Sequence, residues 1–228
     1  VLGLIGGFVG IFVIICDHAF AVHGVSEMSF AGAALALLLG YDVVTGSMVG
    51  SIASALLIAF LGSKASNSNS VIGALMPFGL GLGILFLSLY QGRSANKFGL
   101  LTGQIVSVDA DQLHTMIIGA VVIISLLVMV WRPLSFASLD PEVARAKGVP
   151  MRFLSLVFMV ILGIAVALSV QVVGSLLVLA LLITPAAAAM QVTASPVRTL
   201  ILSVLFAEAS IVGGILLALA GSLPISPY

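Results

Sequence analysis

Apolar residues fall in long continuous blocks, near 1–15, 22–40, 45–63, 71–90, 114–131, 153–170, 173–190 and 199–221, separated by short polar stretches. An α-helix needs about 20 mostly apolar residues to cross the hydrocarbon of a bilayer, and most of these blocks approach that length. Because the runs are continuous and not alternating, they do not fit the strands of a β-barrel. The pattern predicts an all-α, polytopic membrane bundle of about eight spans. The first block is short for a span. The polar stretch "DHAFAVHGVSEMSFAG" (17–32) interrupts the start of the second, and "GLGLGILF" (79–86) predicts flexibility at the centre of the fourth.

Composition sharpens the prediction. Hydrophobic residues make up 61% of the 228 positions and charged residues 7%, against about 25% charged in soluble domains. The chain has 24 Gly and 8 Pro, with most of the glycines spread through the apolar runs, as expected where small residues let helices approach closely. Net charge is zero and no basic cluster forms a nucleic-acid footprint, so DNA and RNA are not expected partners. The single Cys16 excludes an intramolecular disulfide. No internal repeat is visible, and residues 1–228 read as a single membrane domain. The start without Met and the close on "SLPISPY" suggest trimmed ends.

Two connections are long, 91–113 and 132–152. Placing 132–152 in the cytoplasm puts Lys64, Arg132, Arg145, Lys147, Arg152 and Arg198 inside and leaves Arg93 and Lys97 outside. That asymmetry obeys the positive-inside rule, and the reverse orientation violates it. The last residue then lies outside, with room for one more returning helix beyond it. The implied location is the cell membrane, with multiple passes.

Ionisable residues inside a span are costly, so each is a functional candidate. His23 and Glu27 are four apart and share a helix face, where two side chains can contact one ion. Imidazole with carboxylate suits a divalent metal of borderline softness. The other reading is a polar helix start, with Ser26 and Glu27 facing water or capping. Glu208, deep in the last block, either lines a path or hydrogen-bonds a neighbouring helix while protonated. Asp17 and His18 fall at the cytoplasmic end of the first span. Asp42, Asp109, Asp111 and His114 fall in or beside external connections, where solvation explains them or an entry surface uses them. Pro185 in "ITPAAAAMQ" predicts a kink within a span.

The loop 132–152 holds "LDPEVARAKGVP", which predicts a short helix. Asp140 is the N-cap, Pro141 opens the first turn, Glu142 lies near the positive end of the dipole, Lys147 near the other end, and Gly148 is the stop. Such a helix needs a protein partner or a lipid surface.

These stretches resemble the membrane subunit of the metal-ion class of ABC importers, the zinc/manganese/iron permease family. "DPEVARAKGV" is similar to that family's cytoplasmic "DPE-A-A-G" loop. Glu142, Ala144 and Gly148 also fit the wider importer pattern E-A-A-x-x-x-G, with Val143 departing from it. "VGSLLVLALLITPAAAA" (173–189) resembles the family's "GALLV-ALLI-PAA-A" span. "VHGVSEMSFAG" stands where the family shows "GDALSHAVLPG". Aligned on Gly32, the family's Asp falls on His23 and its His on Glu27, so the pair is kept in swapped order.

The resemblance implies a transport subunit and not an enzyme. It implies passage of a divalent zinc, manganese or iron ion, with no permanently bound cofactor and ATP used by a partner. The implied partners are a second copy of the chain, cytoplasmic ATPase subunits and an extracytoplasmic metal-binding protein, all within membrane lipid. Metal contact is expected at His23 and Glu27, with Glu208 second in line, and ATPase coupling at Asp140, Glu142, Ala144, Arg145 and Gly148. The chain lacks G-x-x-x-x-G-K-[ST], so hydrolysis would come from another polypeptide. The competing readings are an ATP-independent secondary transporter, for which no related halves are visible, and an intramembrane metalloprotease, for which H-E-x-x-H is missing.

Overall fold

The computed structural model describes residues 1–62, 68–92, 100, 103 and 110–220. Among them run nine helices: α1 Leu2–Ile15, α2 Ala19–Leu39, α3 Val43–Gly62, α4 Ser68–Leu89, α5 Ala110–Leu139, α6 Pro141–Ala146, α7 Met151–Val173, α8 Ser175–Val192 and α9 Pro196–Ala220. Seven of them are long and apolar enough to cross a membrane, and α1 is a shorter apolar helix, consistent with about eight spans. The chain is a multi-pass membrane protein.

Three helices, α1, α2 and α7, form the buried centre. In α7 Met159, Ile161, Leu162, Ala165, Val166, Ala167 and Leu168 are fully covered. The outer faces of α3, α4, α5 and α9 expose Val49, Phe78, Met129 and Leu205, among others, as a lipid-facing wall requires.

Glycines set the close approaches. A Cβ on Gly10 of α1 would run into the carbonyl oxygen of Leu182 in α8, and one on Gly7 would lie 2.8 Å from the Val204 backbone in α9. Pro185 has no N–H, so the carbonyl of Leu181 one turn earlier lacks its helical donor. Gly6 packs against that oxygen, 3.0 Å from where its Cβ would be. Serines stitch neighbouring helices: Ser29 and Ser47 hydroxyls lie 2.7 Å apart between α2 and α3, and Ser203 of α9 donates to the Gly7 carbonyl at 3.1 Å.

Contacts between ends give an alternating path. At one end Leu2, Met116 and Val172 pack together, and Gly103 sits against Val172 and Val173. At the other end Cys16 Sγ meets Ser138 Oγ at 3.1 Å, and the rings of His18 and Phe158 pack edge-on at 5.7 Å. Phe12 joins them, edge-on to Trp131 at 4.8 Å. These pairings fit the order of passes expected from the charge asymmetry. Lys64, Arg93, Lys97 and Asp109, and the side chain of Asp111, lie outside the described residues.

Three local expectations differ from what is observed. The fifth span does not stop at Trp131: α5 continues to Leu139, so only the second part of 132–152 is a connection. Pro133 removes one internal hydrogen bond, and Leu134 and Ala137, packed into the core, hold the extension in place. The fourth span is one unbroken helix in which glycine permits contact. Gly79 and Gly83 face α2 and would strike it with a Cβ. The stretch 17–32 does not interrupt α2, which is continuous from Ala19.

Candidate metal-contacting site

The site is built on the first turns of α2. The chain reverses after α1 through Cys16–His18, with Asp17 at φ 55° and the His18 Nδ1 hydrogen-bonded to the Cys16 carbonyl. His18 is the N-cap residue but makes no side-chain cap. One turn further, Ser26 Oγ donates to the His23 carbonyl at 2.8 Å, which keeps its hydroxyl occupied.

His23 Nδ1 and Glu27 Oε1 face each other at 3.9 Å. That separation leaves both polar and neither hydrogen-bonded. Glu27 is almost wholly covered, its side chain 3% exposed, whereas the His23 side chain is 35% exposed. His23 Nδ1 and Glu27 Oε2 are both buried without a hydrogen-bond partner. A carboxylate in this position must be neutralised by a proton or a cation, since a buried charge left unpaired costs several kcal/mol. Helix α4 packs against the backbone here: Gly79 presses on the peptide bond joining Glu27 to Met28, each of its two atoms 3.0 Å from the Cβ a larger residue would carry. Ile72 sits over Gly24 in the same seam.

Ser26 and Glu27 are not placed as a polar helix start would place them. Ser26 is 0% and Glu27 2% exposed, and both lie inside a helix that begins at Ala19. They neither face water nor cap.

Glu208 is not brought to the pair. It stands on α9, whose partners are α1 and α8, and its carboxylate lies over Gly3 of α1, 2.6 Å from that residue's would-be Cβ. Among the described residues no group of three His, Cys, Asp or Glu side chains comes together. Asp42 caps α3, its Oδ2 accepting from Thr45 N–H at 2.9 Å. His114 is exposed near the start of α5.

The second candidate region is α6. Asp140 Oδ1 accepts from the Val143 N–H at 3.1 Å, Pro141 opens the helix and Glu142 lies in its first turn. Gly148 has φ 79°, the left-handed conformation that glycine adopts without strain. Ala144 is fully buried in the main core and anchors the helix. Asp140, Glu142, Val143, Arg145 and Ala146 are exposed, and Lys147 Nζ lies 5.4 Å from the Phe136 ring centre. Sequence reasoning located this helix but did not single out Gly79, which only the placement of α4 against Glu27 distinguishes from Gly81.

Comparison with known proteins gives this geometry its context. The manganese transport system membrane protein MntC of Listeria monocytogenes is 29% identical over 215 residues, covering 94% of this chain and 76% of that protein. The high-affinity zinc uptake system membrane protein ZnuB of Haemophilus influenzae is 26% identical over 219 residues, covering 96% and 84%. The solved structure of PsaBC from Streptococcus pneumoniae in complex with Fab superposes with a TM-score of 0.87 at 27% identity, covering 99% of this chain and 82% of that one. The ABC 3 transport family matches residues 1–228 throughout, and the chain belongs to that family.

Proposed function

We propose that this chain is the membrane-spanning subunit of an ABC importer that passes a divalent metal ion into the cell, with ATP hydrolysed by a separate subunit. The observation that carries the proposal is the His23–Glu27 pair: a covered carboxylate and a half-exposed imidazole, 3.9 Å apart in an apolar bundle, with unpartnered polar atoms on both. Membership of the family supports the reading, and the names of the relatives point to manganese or zinc as cargo.

One protomer supplies one nitrogen and one carboxylate, too few for a divalent ion. A second copy, bringing its own pair to the exposed His23 edges across a twofold axis, would complete four N/O ligands. Imidazole suits zinc and carboxylate suits manganese, so the mixed pair fits either. Weak, transient holding is what passage requires, and neighbouring Val22 and Val25, both fully buried, offer the ion nothing else. Glu208, on α9 away from the pair, is a second polar group along the bundle.

The exposed rim of α6 is the docking element for the ATPase. Ala144 transmits its displacement into the core, while Asp140, Glu142, Arg145 and Gly148 shape and present it. An extracytoplasmic metal-binding protein would deliver the ion at the opposite end.

The test is uptake of manganese and of zinc by cells carrying the assembled importer with Glu27→Gln or His23→Ala. Both variants should insert, associate with the ATPase and lose about 10-fold or more of their uptake, the scale on which metal-site changes act. Normal uptake by both would overturn the site.

A further inference from the structure

We infer that Gly79 of α4 is a positioning residue for the Glu27 carboxylate, and that its lack of a side chain sets the metal preference of the pathway. The inference rests on the metal-contacting role of His23 and Glu27 proposed above.

Helix α4 meets the metal-bearing turns of α2 at three points that follow one another in the same direction along both helices. Ile72 lies over Gly24, Gly79 over the Glu27–Met28 peptide, and Gly83 under the ring of Phe30. The middle contact is between backbones. A Cβ at Gly79 would stand 3.0 Å from Glu27 C, 3.0 Å from Met28 N and 3.1 Å from Met28 Sδ. The thioether is flexible and can turn away. The peptide cannot, because it is held in the ladder of α2, so any side chain at position 79 must push α2 and α4 apart at Glu27.

The first and third contacts resist that shift, with Ile72 fully packed and the Phe30 ring completely buried. Displacement would therefore fall on the turn that carries Glu27. The carboxylate oxygens sit several bonds from that peptide, and their distance to His23 sets the bite offered to an ion. Ligand spacing of a few tenths of an ångström separates the smaller, shorter-bonded ions from larger ones. Helix α4 thus acts as the rear wall of the site without providing a ligand.

The same helix contains its own control. Gly81, two positions on, is exposed and has nothing within 4 Å of its would-be Cβ. Gly79→Ala and Gly81→Ala carry the same change in helix propensity, and only the first touches Glu27.

The experiment measures uptake of manganese chloride and of zinc chloride, each alone, by cells carrying the assembled importer. The variants are Gly79→Ala, Gly81→Ala and Glu27→Gln, with the amount of inserted protein measured for each. Gly79→Ala should change the manganese-to-zinc uptake ratio by about 10-fold or more, as changes behind a metal ligand do, while Gly81→Ala leaves it at the wild-type value. Mere loss of protein lowers both metals together and leaves the ratio alone. If Gly79→Ala inserts poorly, Gly79→Ala with Met28→Ala removes the clash with sulfur and retains the one with the peptide. An unchanged ratio in whichever variant inserts overturns the inference, and so does failure of both to insert while Gly81→Ala does, which would make Gly79 a packing residue only. Normal uptake by Glu27→Gln would instead overturn the metal-site reading beneath it.

Discussion

At the scale of single residues, the glycines of α1 show how this bundle trades side chains for proximity. Gly10 meets the Leu182 carbonyl with no room for a methyl, so Gly10→Ala must move α1 away from α8. Overpacking of this kind costs about 1–3 kcal/mol. Gly213 has nothing within 4 Å, and Gly213→Ala should lose nothing and gain up to about 1 kcal/mol from helix propensity. Thermal unfolding of the two variants in detergent checks the difference. His18 makes a second residue-scale prediction. It lies in the turn between α1 and α2, and burial pushes its imidazole below the ordinary value, outweighing the opposing pull of the Cys16 carbonyl and Asp17. The folded state therefore binds fewer protons there than the unfolded chain. Its contribution is complete above the unfolded value of 6.5 and is lost as pH falls below it. Unfolding temperature should drop as pH is lowered through that region, and His18→Asn, which cannot titrate, should flatten the drop.

At the scale of elements, α6 is short enough that its stability depends on its ends. Six residues cannot hold a helix by internal hydrogen bonds alone. Asp140 supplies the N-terminal cap, typically worth about 0.5–2 kcal/mol, and Gly148 allows the exit at φ 79°. Gly148→Val meets no neighbour, since nothing lies within 4 Å of its would-be Cβ, so its effect acts through the backbone. The expected outcome is normal insertion with impaired uptake and weakened co-purification of the ATPase. Unchanged values for both would remove α6 from the coupling path. The cap and stop were readable in "LDPEVARAKG" because they are local. The extension of α5 to Leu139 was not, because tertiary burial of Leu134 and Ala137 overrides the signal of Pro133.

At the scale of the whole molecule, the orientation expected from the charge asymmetry is the premise of the coupling proposal and can be tested directly. Ser138 is a poor reporter of sidedness because its hydroxyl is engaged by Cys16 and by the Leu134 carbonyl. Ala146, exposed at the end of α6, and Tyr41, 72% exposed between α2 and α3, are accessible at opposite ends of the bundle. In a Cys16→Ser background, Tyr41→Cys should react with a membrane-impermeant thiol reagent from outside intact cells. Ala146→Cys should react only once the cytoplasmic side is opened. The reverse pattern would invert the topology and detach α6 from any cytoplasmic ATPase.

The sequence by itself determined the solvent of this protein, the approximate number and order of its spans and the short capped helix. All of these depend on composition, length or neighbouring residues, and the bilayer enforces them without reference to packing. It also placed His23 and Glu27 on one face, because four residues of helix always do so. Whether that face looked into water, lipid or protein was decided only by tertiary structure. Tertiary packing covers Glu27 and leaves His23 half open, and the packing of α9 on α1 keeps Glu208 apart from them. These arrangements depend on which helices neighbour one another across long separations in the chain, and on backbones meeting where glycines permit, as at Gly79. A glycine in an apolar run reads the same whether it faces empty space, as Gly81 does, or the peptide that follows Glu27, as Gly79 does. Only the position of the neighbouring helix distinguishes them.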